Sequence, residues 1–142
     1  MFKKVCIIGC GLIGSSLARA IKKNNLAQLI VSSNRSEDIN KKVIELKIVD
    51  ESSPDTKKMV KDSDLIIIAT PLSSYESVIL KIKDSLKEGS ILTDVGSVKK
   101  GIIDLVEKHI SKNISWIPSH PIAGTEESGP EAGFSDLFKN RW

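Results

Sequence analysis

The chain has 142 residues, a length typical of one domain that can bury a core without cross-links. Apolar residues make up 40% and charged residues 27%, and no apolar run approaches the ~20 residues of a membrane-spanning helix. The net charge of +3 lies largely in lysine doublets without interleaved aromatic residues, so we predict no nucleic-acid and no membrane partner. Because the sequence starts directly with a strand pattern, we also predict no signal peptide and a cytoplasmic location.

Apolar periodicity predicts strands that alternate with helices as far as Ile117. The predicted strands cover residues 3–8, 29–33, 48–49, 65–69, 90–95 and 114–117, and the predicted helices cover 12–23, 36–46, 54–61, 74–86 and 98–110. This alternation is typical of a parallel sheet with helical crossovers. We therefore predict an α/β fold with a Rossmann-type doubly wound sheet, in a single domain over residues 1–142.

The pattern changes after Pro118. Residues 119–133 are rich in glycine, proline and polar side chains, and the spacing of Phe134, Leu137 and Phe138 then predicts a short packed helix. We interpret residues 119–142 as an active-site loop followed by an incomplete carboxyl-terminal edge of the domain.

Three glycines, Gly9, Gly11 and Gly14, form the pattern G-x-G-x-x-G between the first strand and the first helix. In that context the first glycine permits a tight turn, the second lets a pyrophosphate approach the backbone, and the third lets the helix pack on the sheet. Leu12 and Ile13 open the helix, whose free N–H groups attract phosphate. We predict dinucleotide binding; a glycine turn without ligand and a site for S-adenosylmethionine are the alternatives.

The two cysteines, Cys6 and Cys10, lie in the first strand and in the glycine loop. They are too close along an extended segment to form a comfortable disulfide, and they are too few to hold a metal. We interpret them as small buried residues of a reducing compartment, and we predict no metal site.

Ligands of such sheets bind beyond the carboxyl ends of the strands. The topology therefore brings a set of polar side chains near the nucleotide: Ser97, Lys99, His120, Thr125 and Glu126. His120 is the candidate base, because imidazole is the side-chain base that titrates near neutral pH. A purely structural histidine is its alternative, and we assign His109, near a helix end, no role.

The other members of this set also have structural alternatives. Ser97 precedes Val98 as an N-cap would, Lys99 fits a solvated helix face, and Glu126 fits an exposed loop.

Several segments resemble the prephenate/arogenate dehydrogenase family over essentially the whole chain. They are GCGLIGSSLARAIK at 9–22, ATP at 69–71, TDVGSVK at 93–99, HPIAGTEESGPEAG at 120–133 and LFKNRW at 137–142. The HPIAGTE-x-SG segment is the most distinctive of them. The resemblance implies NAD(P)-dependent oxidation of a cyclohexadienyl alcohol, prephenate or arogenate, with loss of carbon dioxide, in tyrosine biosynthesis.

The resemblance also implies roles for individual residues. His120 would hydrogen-bond and polarise the substrate hydroxyl, and Ser97 would help to orient it. Glu126 and its neighbour Thr125 would lie at the substrate pocket. The three glycines would hold the pyrophosphate, and Thr70 with Pro71 would line the nucleotide near its ribose or nicotinamide end.

Two features depart from the family pattern. Its members continue into a helical second domain that dimerises and contacts the substrate, whereas this sequence stops at Trp142; we expect the chain to be the cofactor-binding half of a homodimeric enzyme. The second departure is Asn34, where NAD-binding members often carry an acidic residue.

The end of the second predicted strand, Ser33-Asn34-Arg35-Ser36, bears on the choice of cofactor. Asn34 lacks the charge that repels a 2′-phosphate, Arg35 can face that phosphate, and the two serines can add donors. We predict NADP over NAD; the alternative is that Arg35 stacks on the adenine with either cofactor.

Two other functions stay open. One is a different NADP-dependent hydroxyacid or imine dehydrogenase, which leaves the HPIAGTE segment unexplained. The other is a dinucleotide-binding module without catalysis. The sequence does not distinguish prephenate from arogenate as the substrate.

Overall fold

The computed structural model describes residues 1–141, so Trp142 of the LFKNRW segment lies outside the described residues. The strands are β1 (Phe2–Ile8), β2 (Ala27–Ser33), β3 (Glu51–Ser52), β4 (Leu65–Ile68), β5 (Ile91–Asp94) and β6 (Ser115–Ile117). The helices are α1 (Leu12–Lys23), α2 (Glu37–Glu45), α3 (Thr56–Val60), α4 (Tyr75–Ile82) and α5 (Lys100–His109). No helix among residues 1–141 has the length and apolarity needed to cross a membrane.

The six strands form one parallel sheet in the order β3-β2-β1-β4-β5-β6. Strand β1 lies at the centre, where Val5 is paired with Ile30 of β2 on one side and with Leu65 of β4 on the other. The strand order therefore reverses between β1 and β4, which is the point where doubly wound sheets bind their ligands. The predicted fold class is confirmed.

Both faces of the sheet are buried by helices. Alternate residues of β1 divide between two cores: Val5 and Ile7 pack with α1 and α2, whereas Cys6 and Ile8 pack with α3, α4 and α5. This division follows from the two-residue period of a strand. It also explains the continuous apolar runs in the central strands, which have no solvent-facing side.

The structure corrects the bounds of several predicted elements, including β2, which begins at Ala27 rather than at residue 29, and α3, which begins at Thr56 rather than at residue 54. Strand β3 comprises Glu51 and Ser52 rather than Ile48 and Val49, because those two apolar residues pack into the core before the chain reaches the sheet edge. Helix α4 ends at Ile82, and a 3-10 turn at Leu72–Ser74 precedes it. Helix α5 begins at Lys100, so the predicted start at 98 is two residues early.

The short helix predicted around Phe134 to Phe138 is wrong. After a 3-10 turn at Pro130–Ala132, the chain makes successive turns in which N–H groups donate to carbonyls three residues back. Examples are Leu137 N–H to Phe134 O at 3.3 Å and Lys139 N–H to Asp136 O at 3.1 Å. The apolar spacing reflects the burial of Leu137, which is 5% exposed, rather than a continuous helix.

Candidate functional site

The glycine loop leaves β1 through a conformation that only glycine adopts readily. Gly9 has φ +94°, and a Cβ there would lie 2.9 Å from the carbonyl carbon and oxygen of Ala69. A Cβ on Gly14 would overlap the carbonyl oxygen of Gly9. These two glycines thus allow the loop, helix α1 and the end of β4 to pack closely together.

Gly11 differs from the other two because a Cβ there would meet no atom within 4 Å. It is the exposed N-cap of α1, it makes no side-chain cap, and the first turn of the helix holds no acidic residue. The free N–H groups of this turn and the positive end of the helix dipole therefore remain available for an anion. This open cradle fits the pyrophosphate of a dinucleotide.

Asn34 fixes the glycine loop against the end of β2. Its side-chain Oδ1 accepts the Cys10 N–H at 2.6 Å, and its side-chain NH₂ donates to Asn40 Oδ1 at 3.0 Å. Asn40 in turn donates to the Asn34 carbonyl at 2.8 Å. Asn34 is only 6% exposed, so it supports the loop from inside the protein. Our sequence reasoning missed Asn40, although a polar residue beside the apolar stripe of α2 is a usable signal.

The other residues at the end of β2 divide into buried and exposed groups. Ser33 is buried and its hydroxyl lies 2.9 Å from that of Thr56, so it does not line the open edge that we expected it to line. Ser36 is the exposed N-cap of α2 and accepts the Ile39 N–H at 3.4 Å. Arg35 is exposed beside it. Arg35 and Ser36 are therefore the members of this segment that solvent or a ligand can reach.

Thr70 and Pro71 follow β4 directly beside the glycine loop. The Thr70 methyl carbon lies 3.0 Å from the position of a Cβ on Gly9. The Thr70 hydroxyl is buried without a hydrogen-bond partner among residues 1–141, and Pro71 is exposed. Together with the open cradle at Gly11, this unsatisfied hydroxyl is consistent with a polar ligand at this edge.

A buried carboxylate, Asp94, ends strand β5. Its side chain forms an ion pair with Lys99, whose Nζ lies 2.7 Å from Oδ1 and 2.6 Å from Oδ2. The Gly96 N–H and the Tyr75 hydroxyl also donate to Oδ2, at 2.9 Å and 3.3 Å. Burial and the negative charge of Asp94 raise the pKa of Tyr75, which keeps its hydroxyl protonated as a donor.

This ion pair holds both polar groups of the Ser119 backbone. The Ser119 N–H donates to Asp94 Oδ1 at 3.1 Å, and the Ser119 carbonyl accepts from Lys99 Nζ at 2.5 Å. The peptide units on either side of Ser119 are thereby fixed to the end of β5. Because His120 is the next residue, the pair determines where the chain presents the imidazole.

His120 itself is exposed at the edge formed by the ends of β5 and β6. It borders a cleft of about 510 Å³ whose walls are mainly apolar and include Val95, Pro121 and Phe138. Ser97 is also exposed, and it does not cap α5, because that helix begins at Lys100 and its N-cap position is Lys99. The alternative role of Ser97 as an N-cap is therefore wrong.

Thr125 and Glu126 lie farther along the same exposed loop. The Thr125 hydroxyl accepts the Glu127 N–H at 3.2 Å and so shapes a local turn. Ser97 follows β5 and His120 follows β6 at the same edge of the sheet, and Lys99 contacts Ser119, the residue before His120. Sequence reasoning missed Asp94 and Tyr75; a carboxylate at the end of an apolar strand is the signal that would have found the first.

Comparisons with known proteins identify the family and the fold of this chain. A family model described as the nucleotide-binding domain of prephenate dehydrogenase matches residues 17–142. The match begins after the glycine loop, so it does not cover the G-x-G-x-x-G pattern. A cyclohexadienyl dehydrogenase of Zymomonas mobilis is 36% identical over 140 residues, which are 99% of this chain and 47% of that protein.

Two solved structures have the same fold. The prephenate dehydrogenase of A. aeolicus, in complex with hydroxyphenyl propionate and NAD+, superposes with a TM-score of 0.90 at 26% identity, over 99% of this chain and 49% of that one. The arogenate dehydrogenase of Synechocystis gives a TM-score of 0.88 at 29% identity, over 97% and 48%. The chain therefore spans about half the length of the proteins it matches. On the matching family model, the glycine loop and the shared architecture, the chain belongs to the family of prephenate dehydrogenase nucleotide-binding domains.

Proposed function

We propose that the protein containing this chain oxidises prephenate or arogenate with a nicotinamide dinucleotide and releases carbon dioxide, and that this chain binds the dinucleotide and supplies the base. One observation supports the proposal most directly. Asp94 and Lys99 form hydrogen bonds with the backbone of Ser119, and His120 therefore follows at the same edge of the sheet as the free N–H groups near Gly11. The family and the relatives named cyclohexadienyl, prephenate and arogenate dehydrogenase supply the substrate class.

The chemistry needs one base and one hydride acceptor, and a bound nicotinamide supplies the acceptor. His120 accepts a hydrogen bond from the ring hydroxyl and takes its proton as the carbonyl forms. The carboxylate then leaves as carbon dioxide, and the electrons of its C–C bond enter the ring to give a phenolate. His120 returns the proton to that phenolate oxygen, so the product is a neutral phenol and no proton is gained or lost overall.

The remaining residues bind and orient. Ser97, exposed beside the Asp94–Lys99 pair, donates to or accepts from the substrate hydroxyl and aligns it with His120. Thr125 and Glu126, on the exposed loop after His120, contact the substrate side chain. The turn of Gly9, Gly11, Leu12, Ile13 and Gly14 binds the pyrophosphate, and Thr70 with Pro71 lines the nucleotide.

The direct test is an activity assay on the full-length gene product. We expect reduction of the dinucleotide when prephenate or arogenate is added, and comparison of the two substrates identifies the preferred one. Dinucleotide binding without turnover of either substrate would support a binding module instead. Turnover of a 3-hydroxyacid or an imine, with neither cyclohexadienyl compound oxidised, would assign a different dehydrogenase.

We further propose that the cofactor is NADP. Asn34 places no negative charge at the end of β2, and the exposed Arg35 and the hydroxyl of Ser36 can bind a 2′-phosphate. Arg35→Ala should weaken NADP binding by about 10- to 150-fold, the equivalent of ~1.5–3 kcal/mol for a charge-assisted bond, and should change NAD binding less. Lys41→Ala, an exposed lysine of α2, is the matched control. Tighter binding of NAD than of NADP by the wild type would contradict this proposal.

The role of Ser97 can be separated from stability. Because Ser97 does not cap α5, Ser97→Ala should lower kcat without changing the unfolding temperature. A loss of stability with an unchanged rate would contradict the proposed role.

We propose that the full-length protein forms a homodimer through residues outside this chain, as the family resemblance implies. Light scattering should give twice the mass of one full-length chain. A monomeric mass at assay concentration would refute the dimer.

A further inference from the structure

The loop that carries His120 is followed by a segment that packs along one face of α1. Ser16 Oγ accepts the Phe134 N–H at 3.1 Å, and Arg19 donates to the Pro130 carbonyl at 3.4 Å. One turn farther along, Lys23 forms an ion pair with Asp136 at 2.7 Å. The three helix residues are spaced three and four positions apart and thus share one face of α1. We call the inner part of this contact, between α1 and residues 130–134, the α1 seam; the exposed Lys23–Asp136 pair lies outside it.

Gly133 lies at the closest point of the α1 seam. Its φ of −70° and ψ of 145° are accessible to any residue, so conformation does not require a glycine there. The available space does require a glycine. A Cβ at this position would overlap Ser15 Oγ and would lie 3.0 Å from Ser15 Cβ and from the Ser16 backbone nitrogen. Ser15 and Ser16 are both completely buried, and the Ser16 nitrogen belongs to the helix backbone, so a side chain at residue 133 would have to displace packed atoms.

We propose that the α1 seam positions the loop at residues 120–129 relative to the dinucleotide helix, with Ser16 and Gly133 as positioning residues. This inference rests on the proposed function. The loop is held at its start by Asp94 and Lys99, which grip Ser119, and at its end by the seam. Between these two anchors, residues 120–129 are exposed or only half-buried.

The seam connects the substrate side to the cofactor side of the site over a short distance. Ser15 and Ser16 lie one turn after Gly11, where the open cradle begins, and Ser15 Oγ donates to the Leu12 carbonyl at 3.2 Å. The end of the loop is therefore fixed directly against α1, the helix that we propose to bind the pyrophosphate. A displacement of about 1 Å between reacting groups can cost ~100-fold in rate. A shift of the loop relative to α1 should therefore lower the rate of the reaction.

The exposed ion pairs beside the α1 seam are expected to matter less. Lys23 and Asp136 are 55% and 57% exposed, and Lys42 reaches Glu131 only at 3.7 Å. Exposed ion pairs contribute little to stability, because solvent screens them and ordering the side chains costs entropy. Asp136→Asn is therefore a matched control that alters the same segment outside its buried contact.

The test compares Gly133→Ala, Ser16→Ala and Asp136→Asn in the full-length gene product. For Gly133→Ala we expect kcat/KM for the cyclohexadienyl substrate to fall by about 10- to 100-fold, while the dissociation constant of the dinucleotide changes by less than twofold. Ser16→Ala, which removes only a hydrogen-bond acceptor, should give a smaller loss of the same kind. Asp136→Asn should leave both quantities unchanged.

A second-site variant distinguishes positioning from general destabilisation. Ser15→Ala removes the hydroxyl that the new methyl group of Gly133→Ala would overlap. The double variant should therefore regain part of the activity that Gly133→Ala loses. Equal losses in the single and double variants would overturn the close-contact argument, as would a parallel loss of dinucleotide affinity and substrate turnover.

Hydrogen exchange provides a readout that does not depend on activity. The hydrogen-bonded amides of Phe134, Leu137 and Lys139, at the end of the loop, should exchange faster in Gly133→Ala and Ser16→Ala than in the wild type, while those of β1 and β4 stay protected. Unchanged exchange at Phe134, Leu137 and Lys139 would overturn the inference even if the assay finds no substrate. Conversely, a wild type that oxidises neither prephenate nor arogenate would refute the proposed function and leave the exchange result to decide the seam. Should Gly133→Ala not fold, Ser16→Ala carries both measurements.

Discussion

The two sides of the candidate site are built in different ways. On the dinucleotide side, the glycine loop is held by close backbone packing and by neutral amide contacts such as Cys10 N–H to Asn34. On the His120 side, a buried ion pair grips the Ser119 backbone, and partners come from 25 and 118 residues away in the chain. Both sides use partners that are distant in the chain, but the first relies on close packing and neutral hydrogen bonds, whereas the second relies on a charged pair.

This difference has an energetic consequence. A typical neutral hydrogen bond contributes about 1 kcal/mol net, whereas breaking a buried ion pair by removing one partner costs about 3–5 kcal/mol. Substitutions of the buried groups on the His120 side should therefore affect stability and rate together, whereas substitutions of the exposed Ser97 or His120 side chains should affect the rate alone. Substitutions on the dinucleotide side should separate the two effects.

The largest expected effect is on the rate. In the full-length gene product, His120→Asn should lower kcat by about 10²–10⁴-fold, because a positioned base is lost, with the dinucleotide affinity unchanged. His109→Asn, at the carboxyl end of α5, is the matched control and should keep the wild-type rate. Steady-state kinetics measures both variants. A wild-type rate for His120→Asn would show that this histidine is structural.

The buried ion pair gives the next largest effect. Asp94→Asn removes the carboxylate that Lys99, Tyr75 and Ser119 share, and because the Lys99 side chain is 28% exposed we expect a loss of about 2–3 kcal/mol in unfolding free energy together with reduced turnover. Denaturant unfolding measures the first quantity. Asp104→Asn, on the exposed face of α5, should change neither. An unfolding free energy within about 1 kcal/mol of the wild type would contradict the importance of the pair.

Two glycines of the same loop should behave differently. Gly9→Ala places a side chain at φ +94° and 2.9 Å from the Ala69 carbonyl, so it should destabilise the fold by about 1–3 kcal/mol. Gly11→Ala meets no neighbouring atom, so it should keep wild-type stability and weaken dinucleotide binding by about tenfold. Thermal unfolding and cofactor titration separate the two. A stable Gly9→Ala, or full affinity in Gly11→Ala, would break the distinction.

The smallest expected effect lies at the opposite end of the sheet. Hydrogen bonds from Lys87 and from the Lys3 backbone lower the pKa of Asp64 from its ordinary value of 3.8 to about 2. Its stabilisation is therefore fully present above pH ~4 and is lost as the pH falls from ~4 towards 2. Asp64→Asn should lower the unfolding free energy by about 1 kcal/mol at pH 7 and should reduce its acid dependence.

Exposed Glu88, beside Lys87 in the chain, offers the control Glu88→Gln for this pH dependence. It should follow the acid curve of the wild type. An Asp64→Asn variant with that same curve would contradict the assigned pKa shift.

Much of the fold could be predicted because its signals are local. The span of α1 was predicted at its observed bounds, Leu12–Lys23, since an apolar stripe and the preceding glycine loop define it within one segment. The buried runs of β1 and β4 were recognised for the same reason. The prediction failed where an apolar run did not mean strand pairing, as at Ile48 and Val49, which pack in the core just before the two-residue strand β3.

The residues of the candidate site show the same difference between local sequence signals and contacts made by the fold. The sequence by itself determined the glycine loop, the carboxyl edge of the sheet and His120 as the candidate base, because each follows from a residue type placed after a strand. Only the tertiary structure decided that Asn34 turns inwards, that Lys99 pairs with Asp94 rather than with solvent, and that Gly133 is a glycine for lack of space. The physical reason is that a buried amide, charge or glycine acquires its role from the groups that the fold brings beside it. Those groups are not neighbours in the sequence, so no local pattern identifies them.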